Sequence, residues 1–166
     1  MLDVAFTSQG QLAAALRYFE EEASLADQLQ DPHLLGTTRS NLAELHLRLG
    51  NRREAARYQT IGLEVAEQYG LPLIAACAVV VAGRLCSADG LNRDAVVLQT
   101  AADRVLTDLG TPLHGQDRQI SDYMLVQALA ALGDERYHAA VREGASRSLV
   151  DAIELSRAVL RTVAEG

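Results

Sequence analysis

The three prolines of this chain recur at an interval of forty residues: Pro32, Pro72 and Pro112. Two more columns keep that interval, one of glycine and one of alanine: Gly10, Gly50, Gly90, Ala15, Ala55 and Ala95. A fixed period of this length is typical of a stacked repeat array, in which a unit cannot bury its apolar face alone and its neighbours supply the core. We therefore expect residues 1–166 to form a single solenoid domain.

Composition favours helices as the repeating element. Apolar residues make up 49% of the chain, most of them alanine and leucine, and only 4% of the residues are aromatic. Alanine and leucine have high helix propensity, whereas strands favour aromatic and β-branched side chains. The predicted fold class is all-α, an α-α superhelix of helix-turn-helix units.

Charge excludes several classes of function. The formal net charge is −7, and all fifteen basic residues are arginine. Nucleic acids and anionic membranes require clustered positive charge, so we expect neither as a direct partner. The absence of lysine excludes a Walker-type phosphate loop and a Schiff-base lysine within these residues. The first ten residues lack the pattern of a signal peptide, and the cytoplasm is the expected compartment.

Proline and glycine positions predict where helices begin and end. Asp31 before Pro32 and Thr111 before Pro112 each place a capping oxygen ahead of a proline at the first helical position. Glycines 50, 90 and 133 follow amphipathic stretches and suit the left-handed residue after a helix. Two pairs predict capping boxes that open the next helix: Asn51 with Glu54, and Ser148 with Asp151.

Each unit is thus predicted to contain a first helix, called A, a turn at a glycine, and a second helix, called B. The A helices are expected over 33–49, 72–89 and 113–132, after a truncated one over 2–9. The B helices are expected over 12–30, 52–69 and 92–109. The units span 1–30, 31–70, 71–110 and 111–145, and a capping helix within 146–166 closes the end of the stack after a short helix over 135–143.

The run Asn41 to Ala66, NLAELHLRLGNRREAARYQTIGLEVA, resembles a tetratricopeptide repeat. Small residues let helices A and B approach closely: Ala43 and Gly83, seven before their turn glycines, and Ala55 and Ala95, five after. The forty-residue unit is longer than the usual tetratricopeptide repeat and resembles the extended, MalT-like type.

The stretch Leu132 to Ser156, LGDERYHAAVREGASRSLVDAIELS, is similar to the segment that closes the repeat region of LuxR-type ATPase regulators, although Arg147 replaces a commonly apolar residue. This resemblance implies a non-catalytic interaction or regulatory module, the C-terminal part of a larger bacterial transcriptional regulator or signalling ATPase. A ligand- or peptide-sensing domain and a free-standing adaptor are the alternatives. The implied partner is a protein, a peptide or another domain of the same polypeptide.

The concave side of such an array is lined by A helices, and counting back from the turn glycines identifies the residues that face it. The predicted groove residues are Ser40, Glu44, Arg48, Arg84, Ser87, Tyr123 and Gln127. The charges of Glu44, Arg48 and Arg84 suggest a mixed-charge groove, with pairing of these side chains to one another as the alternative. A convex arginine cluster around Arg52 and Arg53 is the alternative partner surface.

No catalytic motif occurs, and no cofactor or metal is expected. The four histidines fall in four different predicted elements: His33, His46, His114 and His138. Scattered single histidines are usually structural, so neither a metal site nor a general base is predicted. His114 and Asp117 lie close enough in sequence to pair, as an exposed hydrogen bond. Cys77 and Cys86 fit no zinc or redox spacing and are expected to be buried apolar residues.

Overall fold

The structure, a computed structural model, describes residues 4–165, and side chains from residue 11 onward. It is all-helical, with no strand among these residues. The eight helices are α1 (Val4–Leu29), α2 (Pro32–Arg48), α3 (Arg52–Gln68), α4 (Pro72–Ala88), α5 (Asn92–Asp108), α6 (Gly115–Leu132), α7 (Asp134–Ser146) and α8 (Leu149–Glu165). The all-α prediction is therefore confirmed.

Two hairpins form the centre of the molecule, α2 with α3 and α4 with α5, and their helices begin forty residues apart. Pro32 opens α2, and the Asp31 carboxylate accepts hydrogen bonds from the backbone N–H groups of His33 and Leu34 at 2.9 and 3.1 Å. The turn glycines Gly50 and Gly90 have φ values of 79° and 78°, which suit residues without a Cβ. The predicted bounds of α2, α3, α4 and α5 are each confirmed to within one residue.

The paired helices touch at the small residues predicted to lie between them. Ala43, Ala55 and Ala95 are fully buried. A Cβ on Gly83 would lie 3.5 Å from the Ala95 carbonyl oxygen and 3.6 Å from Leu98 Cβ, so the two backbones are in van der Waals contact there. Close approach at these columns holds each hairpin together.

The main core lies around α4. Its side chains pack with α3, α5 and α8 in one apolar cluster that includes Val79, Leu85, Leu98 and Leu160. Between the hairpins, the buried Gln59 amide donates a hydrogen bond of 3.0 Å to the Ala78 carbonyl. Neighbouring hairpins therefore share one core, as a stacked array requires.

Three local predictions are wrong. No turn occurs at Gly10, because α1 is one continuous helix from Val4 to Leu29. Two helices, over 2–9 and 12–30, were expected there, and residues 2 and 3 lie outside the described part of the chain. Pro112 does not open a helix, because Gly115 has a φ of 56° and α6 begins only there. The Asn51 side chain makes no capping hydrogen bond.

The terminal helices depart from hairpin geometry. α7 packs mainly on α5 and much less on α6. A Cβ on Gly144 would lie 2.5 Å from the Val97 carbonyl oxygen, so α7 crosses α5 at this glycine. α8 then runs back over α3, α4 and α5, instead of closing the stack beyond α6 as predicted. Its predicted capping box is confirmed, since Ser148 Oγ and Asp151 Oδ2 are 2.7 Å apart and each accepts the other's backbone N–H.

Side-chain size explains why α6 and α7 do not form a closely packed hairpin. Seven residues before the turn glycine, α2 and α4 have Ala43 and Gly83, but α6 has Val126. Five residues after it, α3 and α5 have alanine, but α7 has His138. Both larger side chains are exposed, and Val126 is 62% exposed. Without small residues on either helix, α6 and α7 cannot approach closely, and α7 uses Gly144 to pack on α5 instead.

Candidate functional site

A groove runs across α2, α4 and α6, the three helices predicted to be A helices. It contains two adjoining pockets, of about 320 Å³ and about 430 Å³. Both pockets are lined by Glu44 and Arg84. The groove is therefore a continuous concavity with its charged side chains near the middle.

All seven predicted groove residues line these pockets. Ser40 belongs to the first pocket, Glu44 and Arg84 to both, and the remaining four to the second: Arg48, Ser87, Tyr123 and Gln127. The residues chosen by counting from the turn glycines thus lie along one groove, although they span more than eighty positions of the chain. The exposure of these side chains differs along the groove, with Tyr123 and Gln127 of α6 exposed and Ser40 and Arg84 buried.

Apolar side chains complete the first pocket, and they are not among the seven predicted groove residues. They are Leu73, Ile74, Val80, Val81 and Leu113. Leu73 is 43% exposed at the start of α4, and Leu113 comes from the segment between α5 and α6. Their place in the pocket depends on how the helices are tilted and on the segment before α6.

Arg84 is the centre of an ion-pair network that joins three helices. Its Nη1 lies 3.2 Å from Glu44 Oε2 on α2, and its Nη2 lies 2.9 Å from Asp117 Oδ1 on α6. Arg84 Nη2 also donates to the Asp117 carbonyl at 3.2 Å, and Glu44 in turn pairs with Arg48 at 3.2 Å. The mixed charges of the groove therefore pair with one another.

The burial of the Arg84 side chain indicates a structural role for this residue. Arg84 is predicted as a residue of the groove surface, but its side chain is only 7% exposed, whereas that of Asp117 is 61% exposed. Arg84 Nε is buried and has no acceptor among the described residues. A buried guanidinium depends on its carboxylates, so Arg84 contributes to the fold as well as to the groove surface.

Asp117 is the groove residue that sequence reasoning assigned elsewhere. Its predicted partner, His114, instead places Nδ1 3.2 Å from the Pro112 carbonyl, while Asp117 pairs with Arg84. Asp117 stands in the first turn of α6, and the next residue, Arg118, pairs with Asp103 of α5 at 3.0 Å. Two consecutive residues therefore fasten the start of α6 to both helices of the preceding hairpin.

Cys77 also lines the first pocket, and it is exposed, contrary to the prediction, while Cys86 is buried as expected. Partial burial of the thiol raises the pKa of Cys77, the nearby Asp117 carboxylate raises it further, and Arg84 lowers it. The thiol is thus a poor nucleophile at neutral pH. It is useful as a chemical reporter of the pocket.

The arginine cluster around Arg52 and Arg53 lies beside a depression of a different, mainly polar character. Arg52 pairs with Asp89 at 3.1 Å, and Arg57 pairs with Glu54 at 3.4 Å. The adjacent depression is lined mainly by polar and charged residues, Arg53 among them. It lacks the apolar lining of the first groove pocket, so the groove is the better candidate site.

The described residues show neither a metal cluster nor a membrane span. Between residues 4 and 165, no three His, Cys, Asp or Glu side chains are grouped so as to hold a metal ion. None of the eight helices combines the length and apolar character needed to cross a bilayer. In comparisons with known proteins, no protein-family model, no curated protein and no solved structure matches this chain.

Proposed function

We propose that this chain is a tetratricopeptide-type helical-repeat module that binds a segment of a partner protein in the groove across α2, α4 and α6. The observation that carries the proposal is the groove itself, in which seven residues chosen from the repeat register line two adjoining pockets. Protein-binding sites of this kind combine apolar anchoring pockets with a few polar groups that fix orientation.

The superhelical, MalT-like character of the fold belongs to the same proposal. The hairpins α2/α3 and α4/α5 repeat at forty residues, and small residues form their contacts. Each hairpin packs on the next through α3 and α4, as in stacked helical repeats. The terminal helices α7 and α8 pack back on these hairpins, α7 on α5 and α8 on α3 and α4.

The module has no catalysis of its own in this proposal, and it binds no nucleic acid directly. The groove charges neutralise one another, so apolar contact is the main source of affinity that the first pocket offers. We place the module in the cytoplasm, at the C-terminal end of a larger transcriptional regulator or signalling ATPase, because of the similarity over Leu132 to Ser156. Sequencing the gene on either side of these residues tests that placement.

Peptide selection tests the groove directly. A displayed library of random peptides is selected on the chain, and enriched peptides are then titrated against Leu73→Arg. Leu73 is at the rim of the first pocket, so an arginine there obstructs it without disturbing the core. Loss of an anchoring pocket should weaken binding by at least about tenfold. Leu109→Arg is the matched control, because Leu109 is 42% exposed, close to the 43% of Leu73, and lies outside the groove.

The expected result is that selected peptides bind the parent and Leu109→Arg equally and bind Leu73→Arg weakly. Bound peptide should also protect Cys77 from alkylation. If no peptide is enriched, or if every enriched peptide binds Leu73→Arg as well as the parent, the groove is not a peptide-binding site.

A small-molecule effector is the second candidate. The first pocket, at about 320 Å³, is at the lower end of the range for small-ligand sites, and its lining is mostly apolar. A screen of small amphipathic compounds for thermal stabilisation, repeated on Leu73→Arg, separates this function from peptide binding. Stabilisation of the parent alone by such compounds would favour effector sensing.

A further inference from the structure

The two pockets of the groove carry opposite net charge. Glu44 and Arg84 line both pockets and pair with each other. Asp117 lines only the first pocket, and Arg48 lines only the second. Two carboxylates and one guanidinium group thus line the first pocket, whereas one carboxylate and two guanidinium groups line the second. The groove is neutral as a whole but has a negative end and a positive end.

The charges at these two ends are also the accessible ones. The Asp117 side chain is 61% exposed and that of Arg48 is 38% exposed, whereas those of Glu44 and Arg84 are 18% and 7% exposed. Arg84 contacts only Oδ1 of the Asp117 carboxylate, and Glu44 contacts only Nε of Arg48. Asp117 Oδ2 and both Nη groups of Arg48 have no partner among residues 11–165. A ligand in the groove therefore meets a free carboxylate oxygen at one end and free guanidinium N–H groups at the other.

Cys77 reports the sign of the charge in the first pocket, which it lines. Burial raises the pKa of its thiol, and beyond that Asp117 raises the pKa more than Arg84 lowers it. A thiol pKa rises where negative charge predominates, because the thiolate is then disfavoured. The Asp117 carboxylate therefore outweighs the neighbouring guanidinium group inside this pocket.

The two ends of the groove are close enough for one short segment to contact both. On α2, residues 37–44 line the first pocket and residues 44–48 line the second. On α4, the corresponding ranges are 73–84 and 84–88. At about 1.5 Å of rise per helical residue, the midpoints of the two pockets lie about 8 to 11 Å apart. An extended segment covers that distance in about three residues.

We propose that the groove selects a partner segment by the order of its charges, with a basic residue beside Asp117 and an acidic residue beside Arg48. An apolar side chain of the segment fills the first pocket next to the basic residue. The inference rests on the proposed function and adds an orientation to it, because a segment bound in reverse would bring like charges together at both ends. Apolar contact still provides most of the affinity, and the charges provide the specificity.

Charge reversal at Arg48 tests the acidic contact. Peptides are selected from the displayed library on the parent, and the acidic residue of an enriched peptide is then replaced by lysine. Arg48→Glu should bind the original peptide about fivefold more weakly, as expected for loss of an exposed ion pair, and should bind the lysine peptide more tightly than the parent binds it. Arg57→Glu is the matched control, because Arg57 is exposed, pairs with Glu54 as Arg48 pairs with Glu44, and lies outside both pockets.

Asp117→Asn tests the basic contact by a measurement that needs no peptide. Cys77 is modified with two methanethiosulfonates, one carrying a trimethylammonium group and one carrying a sulfonate group, and Cys86 is buried and does not contribute. The ratio of the cationic to the anionic rate should fall at least about twofold in Asp117→Asn, because a nearby negative charge is removed. Asp108→Asn is the matched control, because Asp108 is 65% exposed, undergoes the same change in charge and lies outside both pockets.

The expected results are a consistent order of basic and acidic residues in the enriched peptides, rescue of Arg48→Glu by the lysine peptide, and a fall in the rate ratio confined to Asp117→Asn. Melting curves establish that the variants remain folded. Peptides that lose binding to Leu73→Arg but show no consistent charge order, or that bind Arg48→Glu as tightly as the parent, would overturn this inference and leave the proposed function intact. An equal fall of the rate ratio in Asp117→Asn and Asp108→Asn would also overturn it. If no peptide is enriched, the proposed function fails and this inference fails with it.

Discussion

The central hairpins and the terminal helices use the same kind of contact with different partners. In α2 to α5, small residues stand where consecutive helices cross, so each helix pairs with the next one in the chain. In α6 to α8, the small residue is Gly144, which faces α5, and the hairpin position has Val126 instead. Consecutive helices therefore pair only where both can approach, and the location of small side chains decides the topology.

The largest expected effect comes from replacing one glycine by alanine in each of the two regions. At Gly144 the new methyl group would stand 2.5 Å from the Val97 carbonyl oxygen and 2.8 Å from Thr100 Cβ, neither of which can rotate away. Gly144→Ala should lower the free energy of unfolding by about 3 kcal/mol, at the upper end of overpacking effects. Chemical denaturation measures the change.

Gly83→Ala is the control in the central hairpins. Its methyl group would make ordinary contacts of 3.5 to 3.7 Å, and alanine is the better helix former. The stability should change little or rise slightly. Equal destabilisation by both substitutions would mean that close approach does not distinguish the two regions.

A second test enlarges the alanine column. Ala95→Leu should cost about 2 kcal/mol, because the leucine must fit where Gly83 contacts the Ala95 backbone. Ala15→Leu, in the same column on the half-covered α1, should leave the melting temperature nearly unchanged. Equal melting temperatures for the two variants would contradict the repeat register.

A third test concerns the ion pairs that join the regions. Arg84→Met removes a buried guanidinium and leaves the half-buried Glu44 with Arg48 as its partner, whereas Asp117 can be hydrated. We expect a loss of about 1.5 kcal/mol, less than for a fully buried pair. Arg52→Met breaks the more exposed pair with Asp89 and should cost less than about 0.5 kcal/mol. Urea unfolding of both variants decides whether Arg84 contributes to the fold.

The smallest effect is a shift in the reactivity of Cys77. Because Asp117 raises the pKa of this thiol, Asp117→Asn should lower it and increase the alkylation rate at a fixed, mildly alkaline pH. The alkylation rate of the parent should still be rising at a pH where an ordinary thiol has reached its plateau. Cys86 is buried with a strongly raised pKa and should not contribute. An unchanged profile in Asp117→Asn would indicate that α6 does not hold its carboxylate at the pocket.

The sequence predicted the central hairpins well because their boundaries depend on local chemistry. Asp31 and Pro32 define a helix start, and Gly50 and Gly90 define turns, wherever the rest of the chain lies. The same register identified the groove residues of three helices. Local signals thus suffice where each unit repeats the same geometry.

Predictions failed where a local signal needed a packing partner. Gly10 has the spacing of a turn glycine, but α1 continues through it, since a glycine within a helix costs only about 1 kcal/mol. The ion pair of Arg84 with Asp117 depends on the position of α6, and Gly115 rather than Pro112 sets that position. The path of α8 depends on contacts with α3, α4 and α5, which begin about 60 to 100 residues earlier, and no local pattern exists for such contacts.

The return of α8 over the centre of the molecule has a consequence for how the protein unfolds. In a simple array each unit touches only its neighbours, so end units can open while others stay intact. Here Leu160 and Val163 of α8 share a cluster with Leu63 of α3 and Leu85 of α4, so loss of any of these helices exposes the others. The chain should therefore unfold in one cooperative transition. During synthesis, its central hairpins complete their core only after α8 has left the ribosome.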